Sequence, residues 1–199
     1  MDDDNNVLAR TAQDSPAEPE APPPAGQVKH WLRRMVWEVL STVAPALFVT
    51  LAINVFVAQA MVVDGPSMQP NLYLSERVIV EKVTYHWLHG PRRGDVVTFD
   101  LPGEKEELIK RVVALEGETV EVQGGRVLIN GQFLVEPWVT RPGEPSYGPM
   151  VVPPGHIFVL GDNRGNSRDS RYFGPIALEQ VKAHALLVYW PLDKIKALW

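Results

Sequence analysis

The segment Arg77-Val-Ile-Val-Glu-Lys-Val83 is a short run rich in β-branched residues. A second run of the same kind is Asp95-Val-Val-Thr-Phe99. Runs of this length bounded by Gly and Pro are typical of β-strands. Further along, Gly124-Gly125 separates Thr119–Gln123 from Arg126–Ile129, which predicts a two-residue hairpin. The chain after about residue 60 is therefore expected to form a mainly β domain.

Later segments continue the same pattern. His156–Leu160 and Ala183–Trp190 read as two more strands, and Asn130-Gly131 marks a second turn. Ile176–Lys182 is the one segment there that suggests a short helix. The chain holds 15 Gly and 18 Pro in 199 residues, which favours turns and short strands over long helices. We expect an antiparallel β-sheet domain at 61–199, with a small hairpin subdomain near 117–155.

The N-terminal part has a different composition. Residues 1–27 are acidic and rich in proline, and their composition predicts a disordered tail. A basic cluster containing Lys29, Arg33 and Arg34 follows, and residues 39–63 then carry no charge. About 20 apolar residues are enough to cross a bilayer. We therefore predict one transmembrane helix within 28–60, and the basic flank places the tail in the cytoplasm and the β domain outside the cell membrane.

Two other interpretations of the uncharged run are open. It could be a buried core helix, although its length and basic flank argue against that. It could also be a cleavable signal peptide, since Ala58-Gln59-Ala60 fits the small-x-small cleavage pattern. The run is longer than the usual apolar part of a signal peptide. A retained membrane anchor in contact with the lipid bilayer is the favoured interpretation.

Charge and cysteine content exclude several functions. The net charge is −5, and residues 1–27 carry all of it, so the rest of the chain is neutral. No basic surface is expected to bind nucleic acid. The chain has no cysteine, which removes disulfides, Cys-ligated zinc and a cysteine nucleophile. Its five histidines form no H-E-x-x-H motif, so neither a metal nor another cofactor is expected.

Ser67 is a candidate nucleophile. It lies between Pro66 and Pro70, in a turn that would hold the hydroxyl exposed and fixed in direction. Lys110 is a candidate general base, because strand alternation places it on one face with Leu108 and Val112. Desolvation on such a face would lower the pKa of the lysine. The plain alternatives are a turn-forming serine and a lysine whose amine reaches water.

The third unusual stretch is Gly161-Asp-Asn-Arg-Gly-Asn-Ser-Arg-Asp-Ser-Arg-Tyr-Phe-Gly174. It follows a hydrophobic strand and is dense in side chains that form hydrogen bonds. A calcium loop of the EF-hand type would need a ligand at the third position and Gly at the sixth. Counted from Asp162, those positions hold Arg164 and Ser167, so the calcium interpretation fails.

Together these stretches resemble the bacterial type I signal peptidase family, membrane-bound Ser-Lys endopeptidases of the S26 type. Ser67–Leu72 resembles the nucleophile box, Gly94–Phe99 a structural strand, Lys110–Ala114 the general-base box and Gly161–Arg171 the last box. The resemblance covers roughly residues 36–195. It implies a signal-peptidase-like antiparallel β-sheet fold and removal of signal peptides from preproteins by a Ser-Lys dyad.

The resemblance also implies roles for single residues. Ser67 would be the nucleophile and Lys110 the base, and Ser167 would orient the lysine amine by a hydrogen bond. The floor of the site would be braced by polar pairing of charged side chains from the last box: Asp162, Arg164, Asp169 and Arg171. The substrate would lie extended beside Met61–Asp64 and Glu107–Ile109. Its small pocket is predicted to be lined by apolar residues: Met68, Leu72 and Ile109.

Two positions depart from the family pattern. Many members carry a serine hydroxyl two residues before the nucleophile as a second oxyanion donor, but this chain has Gly65 there. Asn71 stands where threonine is usual, and we expect that change to matter little.

Two alternatives to a signal peptidase are open. One is a self-cleaving repressor-type Ser-Lys protease, which would need a DNA-binding domain, and the other is an inactive paralogue that only binds exported peptides.

Overall fold

The computed structural model describes residues 25–52, 58–85, 89–139, 143 and 146–198. The chain divides into two compact units, with the boundary between Phe48 and Val49. Most of the predicted disordered tail, residues 1–24, lies outside the described residues. The last three tail residues belong instead to the first helix, α1, which spans Ala25–Ala52.

Helix α1 has the length and apolar composition of a membrane-spanning segment from His30 to Leu51. Every side chain in that range is exposed, so α1 is not the buried core helix of the alternative interpretation. Pro45 lies inside the helix. The helical prediction for the end of the uncharged run is wrong, because Ala58–Val62 forms strand β1. β1 pairs antiparallel with the next strand, and these hydrogen bonds replace those of a helix.

The larger sheet has eight strands among the described residues, all paired antiparallel. Their order is β1-β2-β11-β3-β4-β9-β10, with β12 paired to β11. The strands are β1 (Ala58–Val62), β2 (Arg77–Glu81), β3 (Val96–Phe99), β4 (Leu108–Ala114), β9 (His156–Leu160), β10 (Ile176–Ala177), β11 (Val181–Trp190) and β12 (Lys196–Ala197). The mainly β prediction is therefore confirmed. This order also places β4 beside β9. β4 carries Lys110, and β9 immediately precedes the predicted site stretch that begins at Gly161.

The smaller sheet has four strands in the order β7-β6-β5-β8. They are β5 (Thr119–Gln123), β6 (Arg126–Ile129), β7 (Gln132–Phe133) and β8 (Tyr147–Val151). Gly124-Gly125 forms the predicted turn, with Gln123 opposite Arg126. Asn130 and Gly131 both have positive φ and connect β6 to β7, as their sequence predicts. This sheet lies within the range expected for the hairpin subdomain.

Short helical segments complete the described fold, among them a 3-10 turn at Leu192–Lys194. Helix α2 spans Ser170–Phe173 and is capped by the Asp169 side chain, which accepts from the backbone N–H of Arg171. The predicted short helix at 176–182 is wrong. That segment is β10, a single 3-10 turn at Leu178–Gln180 and the start of β11. β10 pairs with β9, and this sheet pairing overrides the weak helical pattern.

Three buried apolar clusters stabilise the β unit. One of them packs Met68, Leu72 and Ile109 together with side chains from β2 and β11. Met68 and Leu72 have no solvent exposure at all. The prediction that these two residues line a substrate pocket therefore needs correction. Their side chains hold the Ser67 turn on the core, because burial of apolar side chains stabilises the folded state.

Candidate active site

Ser67 lies in the connection between β1 and β2. Backbone hydrogen bonds close this segment on itself: Gln69 N–H donates to the carbonyl of Pro66, and Asn71 and Leu72 N–H both donate to Met68. The buried Met68 and Leu72 side chains hold the turn on the core. Ser67 itself is only partly buried. The turn thus presents a hydroxyl in a fixed direction at a partly open position, as a nucleophile requires.

Lys110 comes from β4, where it lies opposite Val97 of β3. Its side chain is 3% exposed, and its Nζ lies 2.9 Å from Ser67 Oγ. The amine also donates to the Ile109 carbonyl at 2.8 Å. The alternative in which the amine reaches water is therefore wrong. The tertiary fold brings together two residues that are 43 positions apart.

Burial controls the chemistry of this amine. Desolvation lowers the pKa of Lys110 from 10.5 to about 8, and the nearby carboxylates of Asp169 and Asp162 act in the opposite direction. A lysine with this pKa supplies a useful neutral fraction close to physiological pH. A neutral amine 2.9 Å from a hydroxyl can take its proton. This pair is the chemical centre of the candidate site.

The loop after β9 packs directly against the nucleophile turn. Asn163 donates its backbone N–H to the Ser67 carbonyl at 3.0 Å and its Nδ2 to the Pro66 carbonyl at 3.1 Å. A Cβ on Gly161 would lie 2.5 Å from that same Ser67 oxygen and 2.2 Å from Ser167 Oγ. The absence of a side chain at Gly161 is therefore what allows the loop to approach Ser67.

Ser167 lies close to Ser67 and Lys110. The structure does not show the predicted hydrogen bond between Ser167 and Lys110. The Ser167 hydroxyl is buried and has no hydrogen-bond partner among the described residues. The amine of Lys110 donates to Ser67 Oγ and to the Ile109 carbonyl instead. An orienting role for Ser167 stays a prediction, which a rotation of its hydroxyl or a bound water could satisfy.

The four charged residues predicted to brace the site all form buried ion pairs. Arg111 holds Asp162 through two hydrogen bonds of 2.9 and 2.8 Å. Asp169 and Arg171 pair with each other at 2.8 Å. Arg164 pairs with Glu136. Sequence reasoning did not assign a partner to any of them, and it missed Arg111 and Glu136 because the pairs join residues from different strands and loops.

Asn71 is a further residue whose role was not predicted from the sequence. Its Nδ2 donates to Asp162 Oδ2 at 2.9 Å and to the Trp138 carbonyl at 2.7 Å. A threonine hydroxyl has a single proton and cannot make both bonds. The expectation that Asn71 is a neutral change therefore does not match the contacts in the structure. In the sequence, the position of Asn71 within the nucleophile box, Ser67–Leu72, was the signal for this role.

A cleft of about 330 Å³ opens beside Lys110. Its lining comes from the end of β1 and the start of β4, and comprises Met61, Val62, Asp64, Glu106, Glu107, Leu108, Ile109 and Lys110. Ile109 lines this cleft, whereas Met68 and Leu72 do not, and the substrate-binding role of Ile109 stays a prediction. β9 pairs with β4 only from Arg111 onward, so the earlier part of β4 leaves one backbone edge open among the described residues.

Gly65 lies two residues before Ser67, and its φ is +97°. No atom lies within 4 Å of where its Cβ would be. Space for a side chain therefore exists, but the backbone conformation favours glycine. Within the described part of the chain, no group of three His, Asp or Glu residues is arranged to hold a metal ion.

The fold and the site together define a candidate serine peptidase in which a lysine replaces histidine. Residues 36–190 match the family model described as signal peptidase, peptidase S26. A signal peptidase I of Leptolyngbya laminosa is 39% identical over 189 residues, covering 91% of this chain and 92% of that protein. The chain therefore belongs to the S26 signal peptidase family, which confirms the resemblance and the prediction of a serine endopeptidase.

A further relative and a solved structure are similar to this chain. A signal peptidase I of Bacillus amyloliquefaciens is 33% identical over 162 residues, covering 76% of this chain and 86% of the relative. The crystal structure of a signal peptidase I from Enterococcus faecalis V583 is 32% identical, covers 47% of this chain and 95% of its own, and aligns with a TM-score of 0.43.

Proposed function

We propose that this chain is a membrane-bound serine endopeptidase that removes signal peptides from exported preproteins by a Ser67–Lys110 dyad. The single observation that supports this most is the 2.9 Å separation of Lys110 Nζ from Ser67 Oγ, with the amine desolvated. The family membership of the chain supports the substrate class. No cofactor takes part in the proposed reaction.

Acylation begins with neutral Lys110. Its Nζ lone pair takes the proton of the Ser67 hydroxyl as Oγ attacks the scissile carbonyl carbon. The carbonyl oxygen becomes an oxyanion in the tetrahedral intermediate. Protonated Lys110 then gives its proton to the leaving amine nitrogen as the C–N bond breaks. The signal-peptide part remains as an ester on Ser67, and the mature chain leaves with a free N-terminus.

Deacylation uses the same lysine. Neutral Lys110 takes a proton from a water molecule, whose oxygen attacks the ester carbonyl. When the second intermediate collapses, Ser67 Oγ leaves and recovers a proton from Lys110. The signal peptide departs with a free carboxylate, and the dyad returns to its starting state. Lys110 begins and ends the cycle neutral, which is why its pKa of about 8 suits the reaction.

The oxyanion would be stabilised by the backbone N–H of Ser67. No described group accepts a hydrogen bond from this N–H, so it is free to donate. Gly65 supplies no hydroxyl beside it. Removal of one oxyanion donor typically costs about 3 kcal/mol of barrier. The absence of a side chain at Gly65 therefore affects turnover rather than the identity of the reaction.

The substrate would bind as an extended strand in the cleft between β1 and β4. β1 is the first strand of the sheet, and residues 108–110 of β4 have no partner from β9 among the described residues. Two open strand edges on either side of a groove suit β-strand addition. The family resemblance implies small side chains at positions −1 and −3 of the cut. Ile109 lines the apolar part of that cleft.

The proposed location is the cytoplasmic membrane, with α1 as a single-pass anchor. The exposed apolar stretch His30–Leu51 supports contact with the lipid bilayer. The basic residues Arg33 and Arg34 lie near its N-terminal end, which supports a cytoplasmic N-terminus. The catalytic unit would then lie outside the cytoplasm, where exported preproteins emerge.

The test is cleavage of a synthetic precursor with an Ala-x-Ala site by the purified full-length protein in detergent. We expect cleavage after the second alanine, and none with Ser67→Ala. Lys110→Arg should also be inactive, because guanidinium stays protonated. Lys182→Arg, an exposed lysine paired with Asp100, is the matched control and should cleave normally.

The outcomes separate the competing interpretations. A folded wild-type protein that does not cleave the precursor would support an inactive paralogue that only binds exported peptides. An active Lys110→Arg protein would exclude Lys110 as the base while leaving a serine peptidase. Cleavage by Ser67→Ala would exclude Ser67 as the nucleophile.

A further inference from the structure

Residues 134–139 follow β7 and reach the loop after β9, residues 161–169, which we call the catalytic loop. The side chain of Glu136 is largely buried, and both of its carboxylate oxygens accept from the Arg164 guanidinium. The Arg164 side chain is 1% exposed and that of Glu136 7% exposed. Arg164 also donates to the carbonyl of Gly125 in the β5–β6 turn at 2.9 Å. One side chain of the catalytic loop is thus held by two parts of the small sheet.

Arg164 passes this restraint on to the nucleophile. Its Nε donates to the Gly161 carbonyl at 3.1 Å, which holds the start of the loop. Gly161 lies against the Ser67 carbonyl, and Asn163 donates its backbone N–H to that same oxygen. The chain of contacts therefore runs from Glu136 through Arg164 and Gly161 to Ser67.

A second contact from the same segment holds the loop from the other side. The Trp138 carbonyl accepts from Asn71, whose Nδ2 also donates to Asp162. The Arg111 guanidinium lies over the Trp138 ring, 4.8 Å from the ring centroid. Arg111 in turn donates hydrogen bonds to Asp162. Residues 136–138 thus contact Arg164 directly and reach Asp162 through its partners Asn71 and Arg111.

We infer that Glu136 is a positioning residue, through which the small sheet holds the catalytic loop against Ser67. This inference rests on the proposed Ser67–Lys110 reaction. Without the carboxylate, Arg164 would be a buried charge with no counter-ion, and it would have to move towards water. The loop would then lose its restraint at Gly161. The distance from Ser67 Oγ to Lys110 would vary, and turnover depends on that distance.

The experiment compares kcat and KM of Glu136→Ala and Glu136→Gln in the full-length protein with the synthetic precursor. We expect kcat of Glu136→Ala to fall about 100-fold, the loss that a misplacement of about 1 Å can cause. KM should stay within about threefold, since Glu136 lies outside the cleft. Glu136→Gln keeps one oxygen for Arg164 and should lie between Glu136→Ala and the wild type.

Glu118→Ala is the matched control. Glu118 lies just before β5 and pairs with Arg93, so its removal also deletes an ion pair at the small sheet. It does not contact the catalytic loop in the described structure, and its kcat should stay near the wild-type value. A loss of kcat in Glu118→Ala equal to that in Glu136→Ala would overturn the inference, because any loosening of the small sheet would then suffice.

Hydrogen exchange gives a readout that does not depend on activity. Backbone amides of residues 161–166 should exchange faster in Glu136→Gln than in the wild type, with amides of β2 and β11 unchanged. If Glu136→Ala does not fold, Glu136→Gln decides the matter. Wild-type kcat together with wild-type exchange in Glu136→Gln would overturn the inference. A wild-type protein that does not cleave at all would instead contradict the proposed function.

Discussion

The backbone N–H of Asn163 donates to the carbonyl oxygen of Ser67 at 3.0 Å, across 96 positions of the sequence. This bond joins the loop after β9 to the turn between β1 and β2. It fixes the nucleophile through its backbone rather than through its reactive hydroxyl. The hydroxyl stays available for Lys110, and the geometry of the dyad depends on how closely the loop can approach.

Gly161→Ala tests that close approach. The new methyl group would lie 2.5 Å from the Ser67 carbonyl oxygen, a backbone atom that cannot move without shifting the turn. We expect turnover to fall about 100-fold or more, as a shift of about 1 Å can cause. The measurement is kcat with a synthetic precursor, alongside circular dichroism to confirm folding.

Gly165→Ala is the control for this change. Gly165 lies in the same loop, has no positive φ, and has nothing within 4 Å of where its Cβ would lie. Its turnover should match the wild type. If the two variants lose activity equally, general loop sensitivity and not contact with Ser67 is the cause.

The pH dependence of cleavage reports on Lys110. Because desolvation lowers the pKa of Lys110 to about 8, kcat/KM should rise with pH and reach half its maximum near pH 8. A free lysine would titrate near 10.4. The rate should be measured from pH 6 to pH 10 with the wild-type protein. A midpoint near 10 would show that the amine is solvated in solution.

Lys110→Met tests what burial of the amine costs. The lowering of the pKa from 10.5 to about 8 corresponds to about 3 kcal/mol, an upper limit on the destabilisation. The folded state binds fewer protons than the unfolded state between these values. The destabilisation is therefore fully present below pH 8 and is lost as pH rises towards 10.5.

Lys110→Met removes this destabilisation of the folded state, together with two hydrogen bonds of the amine. Its stability relative to wild type should consequently decline by about 2 kcal/mol between pH 7 and pH 9.5. Urea unfolding of both proteins at the two pH values measures this change. A difference that does not vary with pH would contradict a desolvated lysine.

Gly65→Ser adds the hydroxyl that many relatives of this type are expected to carry. The site has open space for the side chain, but φ is +97° there. Positive φ in a residue other than glycine costs about 1 kcal/mol or more. We expect lower thermal stability in both Gly65→Ser and Gly65→Ala, measured by thermal unfolding.

The two variants differ in the oxyanion donor. If the hydroxyl stabilises the oxyanion, kcat of Gly65→Ser should exceed that of Gly65→Ala by about tenfold or more. Equal values in two folded variants would mean that the backbone donors already suffice.

Self-cleavage at Ala58-Gln59-Ala60 is the last prediction. Cutting after Ala60 would leave Met61 as a new N-terminus, six residues before Ser67, too short a connection for one copy to reach its own bond. The uncharged run continues past Ala60 to Val63, which predicts protection of this bond within or near the membrane. The structure gives a different reason for protection, because Ala60 lies in β1 and pairs with Ile79 of β2.

A protease needs an extended substrate that leaves its own sheet, and β1 would have to unpair first. We therefore expect a constant full-length mass during long incubation in detergent. A fragment beginning at Met61 that accumulates faster at higher protein concentration, and is absent in Ser67→Ala, would show cleavage between molecules.

Local patterns in the sequence were sufficient for the strands and turns. Period and composition identified the strand at Arg77–Glu81 and the Gly124-Gly125 hairpin, because β-branched residues and paired glycines act over a few positions. They were not sufficient at Ala58–Val62. An uncharged apolar run suits a helix in lipid as well as a strand in a sheet, and pairing with β2 decided between them.

The sequence alone singled out Ser67 and Lys110, but the turn and the strand pattern left a turn-forming serine and a solvated lysine as alternatives. Their proposed roles as nucleophile and base came from the resemblance of the surrounding stretches to the signal peptidase boxes. Only the tertiary structure decided that they meet at 2.9 Å, that Met68 and Leu72 lie in the core, and which partner each buried charge has. The pairs Arg111–Asp162 and Glu136–Arg164 join residues 51 and 28 positions apart. A buried charge must find its counter-ion wherever the packed sheets place one, and spacing along the chain carries no record of that choice.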